Sequence, residues 1–194
     1  MLRSSRSVLI GACLMYSGLA LAAEANIWTS LQQGGYVILM RHAAVDSMTP
    51  STSPNADFEN CVGQSNLSLE GQQEAKRIGR AFKKRKIPIG EVLSSPYCRT
   101  QDTGRLAFGR AQAWEALDLQ TSLPDDEAAK RQEVVAARIG QYQGKKNLVL
   151  ISHQPNIDGL TLELVDIGTL LILKPSGGNE FSLVARILSN QLPK

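Results

Sequence analysis

This sequence has few aromatic residues, few histidines and little net charge. Aromatics make up 5% of the 194 residues, so the core has to be aliphatic, which favours a helix-covered sheet over a small all-β domain. The formal charge of +3 is too small for the electrostatic footprint of a nucleic-acid-binding protein. No repeat or low-complexity tract divides the chain. We therefore expect one globular domain with no nucleic-acid partner.

The N-terminal residues have the pattern of an export signal. Two arginines precede an apolar stretch over residues 8–22 that ends in a small-x-small triplet, which predicts a signal peptide at 1–22, cleaved after Ala22. The stretch is short for a bilayer span, so the mature domain, 23–194, is expected to have no stable membrane span and to be periplasmic or secreted. Lipidation at Cys13 is the alternative, because the preceding residues resemble a lipobox.

Removal of the signal would leave one pair of cysteines, Cys61 and Cys98. In an oxidising compartment such a pair predicts a disulfide. Closing a loop of this length contributes roughly 3 to 4 kcal/mol in the chain-entropy model. Two buried free thiols are the alternative.

Strand-like and helix-like segments alternate along the mature chain. Apolar, partly β-branched runs predict strands at 36–40, 91–94 and 147–151, a weaker strand at 113–117, and a C-terminal hairpin of 168–173 and 181–187. Helical spacing and helix-start residues predict helices over 68–86, 96–108 and 125–142, and another opened by Pro155. This alternation predicts a three-layer α/β/α sandwich with a mostly parallel sheet and an antiparallel C-terminal hairpin. The long polar segment 43–66 is expected to be a functional loop.

The chain has two histidines, and each lies just beyond the C-terminal end of a predicted strand. His42 comes after the first strand together with Arg41, and His153 comes after the third clear strand. Arg99 follows the second strand at the start of a helix. Ligands of open α/β sheets bind at the carboxyl ends of the strands, so we expect these four side chains to meet there. The alternative is that they are unrelated surface residues.

Guanidinium and imidazole groups in one place suit phosphoryl transfer. Arginines hold phosphate oxygens bidentately, and a neutral histidine can attack phosphorus to give a phosphohistidine that water then hydrolyses. Two histidines with no carboxylate at ligand spacing make a poor cage for a divalent cation, so no metal or other cofactor is expected. A Cys98 thiolate next to Arg99 is an alternative nucleophile, but the predicted disulfide would leave no free thiolate at Cys98.

Four motifs in order resemble those of the histidine phosphatase superfamily, which includes the phosphoglycerate mutases and the histidine acid phosphatases. The motifs are Leu39-Met40-Arg41-His42-Ala43, Leu67-Ser68 through Gly71 to Ala75, Ser94-Ser95-Pro96 with Arg99 and Thr103, and Ile151-Ser152-His153. The resemblance covers essentially the whole mature chain. It implies that His42 is the phosphorylated nucleophile, that Arg41, Arg99 and His153 bind the phosphoryl group, and that no metal is needed.

Two departures from the family pattern bear on which branch of the superfamily the sequence resembles. Ala43 replaces the common Gly, and Gln154 follows the second histidine where acid phosphatases and phytases of the family have Asp. The acid phosphatase branch is therefore not expected. The size of the chain and its signal pattern point instead to small exported members, similar to those thought to act on lipopolysaccharide core phosphates. A small-molecule or glycolipid phosphomonoester is the expected substrate.

The resemblance also implies a general acid after the second arginine, where Asp125, Asp126 and Glu127 lie. Asp126 is our candidate, although an acidic trio is also typical of a helix start stabilised by the macrodipole. The sequence as a whole predicts an exported phosphatase that hydrolyses a phosphomonoester through a phosphohistidine. A phosphomutase and a catalytically inactive phosphate-binding module are the alternatives.

Overall fold

A computed structural model describes residues 27–46 and 58–193 of the chain. The predicted signal peptide at 1–22 and the middle of the 43–66 loop lie outside these residues. Within them, no helix is long and apolar enough to cross a membrane.

A six-stranded sheet forms the middle layer. The strands are β1 (Val37–Arg41), β2 (Ile89–Ser94), β3 (Gln112–Ala113), β4 (Asn147–Ser152), β5 (Leu170–Gly177) and β6 (Glu180–Ile187). Their order in the sheet is β3-β2-β4-β1-β5-β6. The first four strands are mutually parallel, whereas β5 runs antiparallel to both β1 and β6. The predicted mostly parallel sheet with an antiparallel C-terminal hairpin is confirmed.

Helices cover both faces of this sheet. They are α1 (Leu69–Lys84), α2 (Cys98–Phe108), α3 (Asp125–Gly140) and α4 (Gln154–Thr161), and residues 27–33 are also helical. Ser68 is the N-cap of α1: its hydroxyl accepts a hydrogen bond of 3.0 Å from the Gly71 N–H and so satisfies one of the free donors of the first turn.

Successive side chains of the central strand β1 point to opposite faces of the sheet, so the aliphatic core has two parts. Ile38 and Met40 pack with the α1 side chains Ile78 and Phe82 on one face. The intervening β1 residues pack on the other face with side chains from α3 and α4, and the members of this set are Val37, Leu39, Val135, Ile139 and Ile157. A strand buried on both faces needs helices on both sides, so the three-layer prediction is confirmed.

The predicted strand at 113–117 is wrong beyond its first residue. The ladder ends where the Trp114 N–H donates to the Ser94 carbonyl at 2.8 Å. The chain then closes a 3-10 turn over Glu115–Leu117 that buries Ala116 and Leu117 against the second core face. A short apolar run with one polar residue, Glu115, fits such a turn as well as a strand, and the turn allows the adjacent Ala116 and Leu117 both to be buried.

Helix α2 begins at Cys98, not at Pro96 as predicted. The Tyr97 carbonyl accepts the first helical hydrogen bonds, from the N–H groups of Thr100 and Gln101 at 3.0 and 3.1 Å. Pro96 therefore lies just before the helix. This shift makes Arg99 the second residue of α2 and places it beside the end of β2.

Candidate active site

Four of the five predicted catalytic side chains meet at the carboxyl edge of the sheet, namely Arg41, His42, Arg99 and His153. Strands β1 and β4 are parallel neighbours with Arg41 opposite Ser152, so the residues that follow each strand also lie side by side. The His42 N–H donates to the Ser152 carbonyl at 3.2 Å, and the rings of His42 and His153 have centroids 5.6 Å apart. The register of two strands thus brings the chain's two histidines together.

A cavity of about 230 Å³ lies at this edge, and its lining residues are Arg41, His42, Arg99, Leu119, Thr121, His153, Gln154 and Pro155. All four phosphate-handling residues predicted from the sequence are in this set. None of the described residues lining it carries a carboxyl group. A larger groove of about 680 Å³ between α1 and α2 has lysine and arginine as its only titratable lining residues. The smaller cavity is therefore the site with a nucleophile.

His42 is held as a neutral imidazole with a defined tautomer. Its Nδ1 lies 2.9 Å from the Ala43 carbonyl oxygen, and because a carbonyl can only accept, Nδ1 carries the proton and Nε2 keeps its lone pair. Burial lowers the pKa of His42 to about 3, with Arg99 and Arg41 acting in the same direction and the Ala43 hydrogen bond opposing them. The ring is consequently neutral at pH 7, as a nucleophile must be.

Two arginines supply buried donors beside this ring. Arg99 is 1% exposed and its guanidinium carbon stands 4.3 Å from the Tyr97 ring centroid. Arg41 donates from Nη1 to the Val165 carbonyl at 2.7 Å. Among the described residues, Nε and Nη1 of Arg99 and Nε of Arg41 are buried without any hydrogen-bond partner. Buried donors are nearly always paired in proteins, so three such nitrogens around one cavity indicate an anion-binding site.

His153 connects Arg99 to the end of strand β2. Its Nδ1 lies 3.2 Å from Nη2 of Arg99, and because a guanidinium only donates, this nitrogen accepts and Nε2 carries the proton. Nε2 then donates to the Ser95 hydroxyl at 2.8 Å. Burial, followed by the charge of Arg99, lowers the pKa of His153 well below its ordinary value. Ser95 belongs to the second-arginine motif, but its contact with His153 was not predicted.

The predicted cysteine pair forms a disulfide, with its Cα atoms 5.8 Å apart. Cys98 directly precedes Arg99, and its N–H donates to the Gln64 side chain at 2.9 Å. Phe58, from the same segment as Cys61, packs edge-on against Tyr97 with centroids 5.0 Å apart. The disulfide therefore ties the 58–66 segment to the helix start that carries Arg99, and it removes Cys98 as a thiolate nucleophile.

Asp126 is not among the residues that line the cavity. It lies in the first turn of α3, where its side chain is 75% exposed and pairs with Lys130 at 3.3 Å. Its neighbour Glu127 pairs with Arg131 at 2.7 Å. These contacts are those of a solvated helix start with acidic residues at the positive end of the macrodipole.

Asp118 is a carboxyl group whose charge acts on Arg99, although it is not among the cavity-lining residues and its Oδ2 lies 3.7 Å from Nη1 of Arg131. Burial raises its pKa, while the Leu119 N–H and the charges of Arg131 and Arg99 lower it. Its Oδ1 accepts from the Leu119 N–H at 2.7 Å, and Leu119 lines the cavity. The sequence carries no signal for Asp118, because its proximity arises from the 3-10 turn that replaces the predicted strand.

The buried neutral histidines make stability depend on pH. The His42 pKa is about 3 when folded, against 6.5 for an ordinary histidine, so the unfolded state binds more protons between these values. This contribution to stability is complete above about pH 6.5 and is lost as pH falls, at about 1.4 kcal/mol per pH unit per histidine. Urea unfolding between pH 7 and pH 4 should show this slope. His42→Asn should reduce it by about half, whereas an unchanged slope in the variant would show that His42 is charged in the folded state.

The chain is similar to known proteins both in sequence and in fold. The sequence profile of the histidine phosphatase superfamily (branch 1) matches residues 37–125. No curated protein matches the chain. Among solved structures, the protein histidine phosphatase SixA complexed with tungstate has a TM-score of 0.55 at 15% identity, covering 80% of this chain and 97% of its own.

Two further solved structures share the fold. A phosphoserine phosphatase from Entamoeba histolytica in complex with 3-phosphoglyceric acid has a TM-score of 0.57 at 13% identity, covering 79% of this chain and 96% of its own. The product of open reading frame Rv3214 from Mycobacterium tuberculosis has a TM-score of 0.57 at 14% identity, covering 76% of this chain and 95% of its own. The profile match spans the segments that hold Arg41, His42 and Arg99, and His153 completes the set from β4. Over residues 37–125 the chain is therefore similar to the histidine phosphatase superfamily (branch 1).

Proposed function

We propose that this chain is a metal-independent phosphatase that hydrolyses a phosphomonoester through a phosphohistidine on His42. One observation carries the proposal. A neutral imidazole with a free Nε2 shares a cavity of about 230 Å³ with two arginines that have three buried, unpartnered donor nitrogens. This combination supplies a nucleophile and an oxyanion clamp without any further group.

The first chemical step transfers the phosphoryl group to the enzyme. Arg41 and Arg99 bind the non-bridging oxygens and spread their charge as the transition state loosens. The Nε2 lone pair of His42 forms the new P–N bond while the bond from phosphorus to the leaving oxygen breaks. The leaving oxygen then takes a proton. Because Nδ1–H remains bonded to the Ala43 carbonyl, the positive charge that develops on the ring stays paired with an acceptor.

The second step regenerates the enzyme. A water molecule attacks phosphorus opposite Nε2, the P–N bond breaks, and inorganic phosphate leaves with the oxygen of that water. The carboxylate that gave its proton to the leaving oxygen in the first step takes one from this water. The electron pair of the broken bond returns to Nε2, so His42 is again a neutral imidazole. The arginine clamp acts on the same three oxygens in both steps, which is why one cavity serves both.

The character of the cavity lining supports metal independence. Divalent metals in phosphoryl-transfer sites are held by carboxylates, and none of the described lining residues has one. Throughout 27–46 and 58–193, no group of three or more potential His, Cys, Asp or Glu ligands is assembled. The arginines occupy the place that a metal takes in such enzymes, as neutralising charge for the phosphate.

The proposed location is the periplasm or the exterior of the cell. The signal pattern at 1–22 and the Cys61–Cys98 disulfide both support an oxidising compartment. The proposed substrate is a small-molecule or glycolipid phosphomonoester. The names of the fold neighbours include both a protein histidine phosphatase and a phosphoserine phosphatase, so the fold itself does not select the leaving group.

Hydrolysis of p-nitrophenyl phosphate by the purified protein, with and without EDTA, tests the proposal. We expect turnover that the chelator does not change. Loss of activity in EDTA that is restored by a divalent metal would overturn metal independence. No turnover across a panel of phosphomonoesters would favour a phosphate-binding module, and transfer of the phosphoryl group to a second hydroxyl of the substrate in place of water would favour a phosphomutase.

Two carboxyl groups compete as the proton donor. Asp126 is the sequence-based candidate, and Asp118 is favoured by its burial, its raised pKa and its proximity to Arg99. Loss of a general acid slows a poor leaving group most. We therefore expect Asp118→Asn to lower kcat/KM for an alkyl phosphate by about 10- to 100-fold while changing an aryl phosphate little.

Asp126→Asn is the matched control, because it makes the same change at an exposed position. It should leave both substrates within about twofold of the wild-type kcat/KM. The reverse pattern, with the alkyl phosphate slowed only in Asp126→Asn, would return the role to Asp126.

A further inference from the structure

The peptide unit that follows His42 connects it to a buried carboxyl group. The Ala43 carbonyl accepts from Nδ1 of His42 at 2.9 Å. The N–H on the other side of this peptide, that of Ala44, donates to Oε2 of Glu74 at 3.0 Å. A single planar amide therefore has the histidine bonded at its oxygen and the glutamate bonded at its nitrogen.

Glu74 is itself held rigidly. It lies on the buried face of α1 and is 8% exposed. Its second oxygen accepts from the Ser189 hydroxyl, and Nε of Arg77 donates to the Ser189 carbonyl at 3.2 Å. Both carboxyl oxygens thus act as acceptors, as in a carboxylate. The C-terminal 3-10 turn, Ser189–Gln191, orients Glu74 toward the peptide.

Glu74 also packs against the second backbone contact of His42. The His42 carbonyl accepts from the Gly168 N–H at 3.1 Å, and a side chain at Gly168 would collide with the Glu74 carboxyl. Gly168 has a φ of +69°, in the left-handed region that favours glycine. The two peptide units that follow His42 are consequently both fixed by groups next to Glu74.

We infer that Glu74 is a positioning residue for His42, acting through the 43–44 peptide. A negative charge at the amide N–H draws electron density toward the carbonyl oxygen and makes it a stronger acceptor. The stronger acceptor holds the proton on Nδ1, which aims the Nε2 lone pair into the cavity and stabilises the positive ring that forms when Nε2 binds phosphorus. The arrangement resembles a carboxylate that orients a catalytic histidine directly, with one peptide inserted between the two groups.

A purely structural role is the competing explanation, because Glu74 also links α1 to the C-terminal turn. Two substitutions separate the roles. Glu74→Gln keeps an acceptor oxygen and nearly the same shape but removes the charge, and Glu74→Ala removes both. Glu70→Gln is the matched control, since Glu70 is an exposed residue one turn earlier in the same helix.

The decisive readout is the ¹⁵N and ¹H NMR signal of the His42 ring, assigned by its loss in His42→Ala. In the wild type we expect one tautomer with the proton on Nδ1. Glu74→Ala should populate the Nε2–H tautomer and slow phosphorylation about 100-fold, and Glu74→Gln should move the Nδ1–H resonance upfield and slow it about tenfold, as for groups that orient a ligating or catalytic histidine. Glu70→Gln should change neither.

Ring resonances in Glu74→Gln that match the wild type would overturn the inference, even if the rate falls, because Glu74 would then act on the fold alone. That test holds whether or not Glu74→Ala folds. The inference rests on the proposed function for its rate effect but not for its NMR signature. A wild-type protein without turnover would therefore defeat the proposed function and still leave the tautomer measurement to decide the role of Glu74.

Discussion

Replacing His42 by alanine should lower kcat for phosphomonoester hydrolysis by at least about four orders of magnitude. No other described side chain in the cavity can take over as the nucleophile. Both ring nitrogens of His153 are engaged, Nδ1 by Arg99 and Nε2 by Ser95. The hydroxyl of Thr121, which also lines the cavity, is a weak nucleophile until a base removes its proton. Water would then have to attack the bound phosphoryl group directly. The arginine clamp would be the only group left to stabilise the transition state of that reaction.

The clamp itself should survive this substitution. Arg41 and Arg99 are held by contacts with Val165, His153 and Tyr97, and the His42 ring makes none of these contacts. His42→Ala should therefore bind orthovanadate or inorganic phosphate within about tenfold of the wild-type Kd, measured by calorimetry. A folded variant that keeps hydrolytic activity within about tenfold of wild type would show that His42 is not the nucleophile.

Removing the disulfide should lower the free energy of unfolding by about 3 to 4 kcal/mol, as expected for a sequence separation of 37 residues. The double variant Cys61→Ser/Cys98→Ser leaves no free thiol of this pair to mispair. KM should also rise, because the cross-link supports the Phe58–Tyr97 contact on which Arg99 rests. Urea unfolding of the wild type and the double variant measures the first effect, and steady-state kinetics measures the second.

Reduced wild-type protein is the control for the serine substitutions. Dithiothreitol should bring the wild type to the stability of the double variant and should leave the double variant unchanged. If the free energy of unfolding fell by less than about 1 kcal/mol in both the reduced wild type and the double variant, the unfolded chain would already be compact around this pair. An unchanged KM would show that Tyr97 holds Arg99 without help from the 58–66 segment.

Four of the five predicted catalytic residues lie where the sequence placed them, because their signals are local. His42 and His153 each follow an apolar run, and such runs form the parallel core strands whose carboxyl ends share one edge. Arg99 follows the second run at a helix start. No knowledge of distant contacts is needed for that inference, which is why it holds even though α2 begins two residues later than predicted.

The contacts of Asp118, Ser95 and Glu74 could not be predicted, because they depend on packing between segments far apart in the sequence. Glu74 reaches Ala44 across 30 residues and Ser189 across 115, and no periodicity records such contacts. Asp126 stays a sequence-based prediction for the proton donor. Its side chain lies in an exposed helix start, where acidic residues are also stabilised by the macrodipole.

Trapping the phosphorylated enzyme tests the role of His42 most directly. The wild-type protein, mixed rapidly with a ³²P-labelled aryl phosphate and quenched in alkali, should carry one label that is stable to base and labile to acid, as a phosphohistidine is, and peptide mapping should place it on His42. The label should be absent from His42→Ala and present in Asp126→Asn. A wild-type enzyme that turns over without any labelled intermediate, or a label that persists in His42→Ala, would contradict the proposed mechanism.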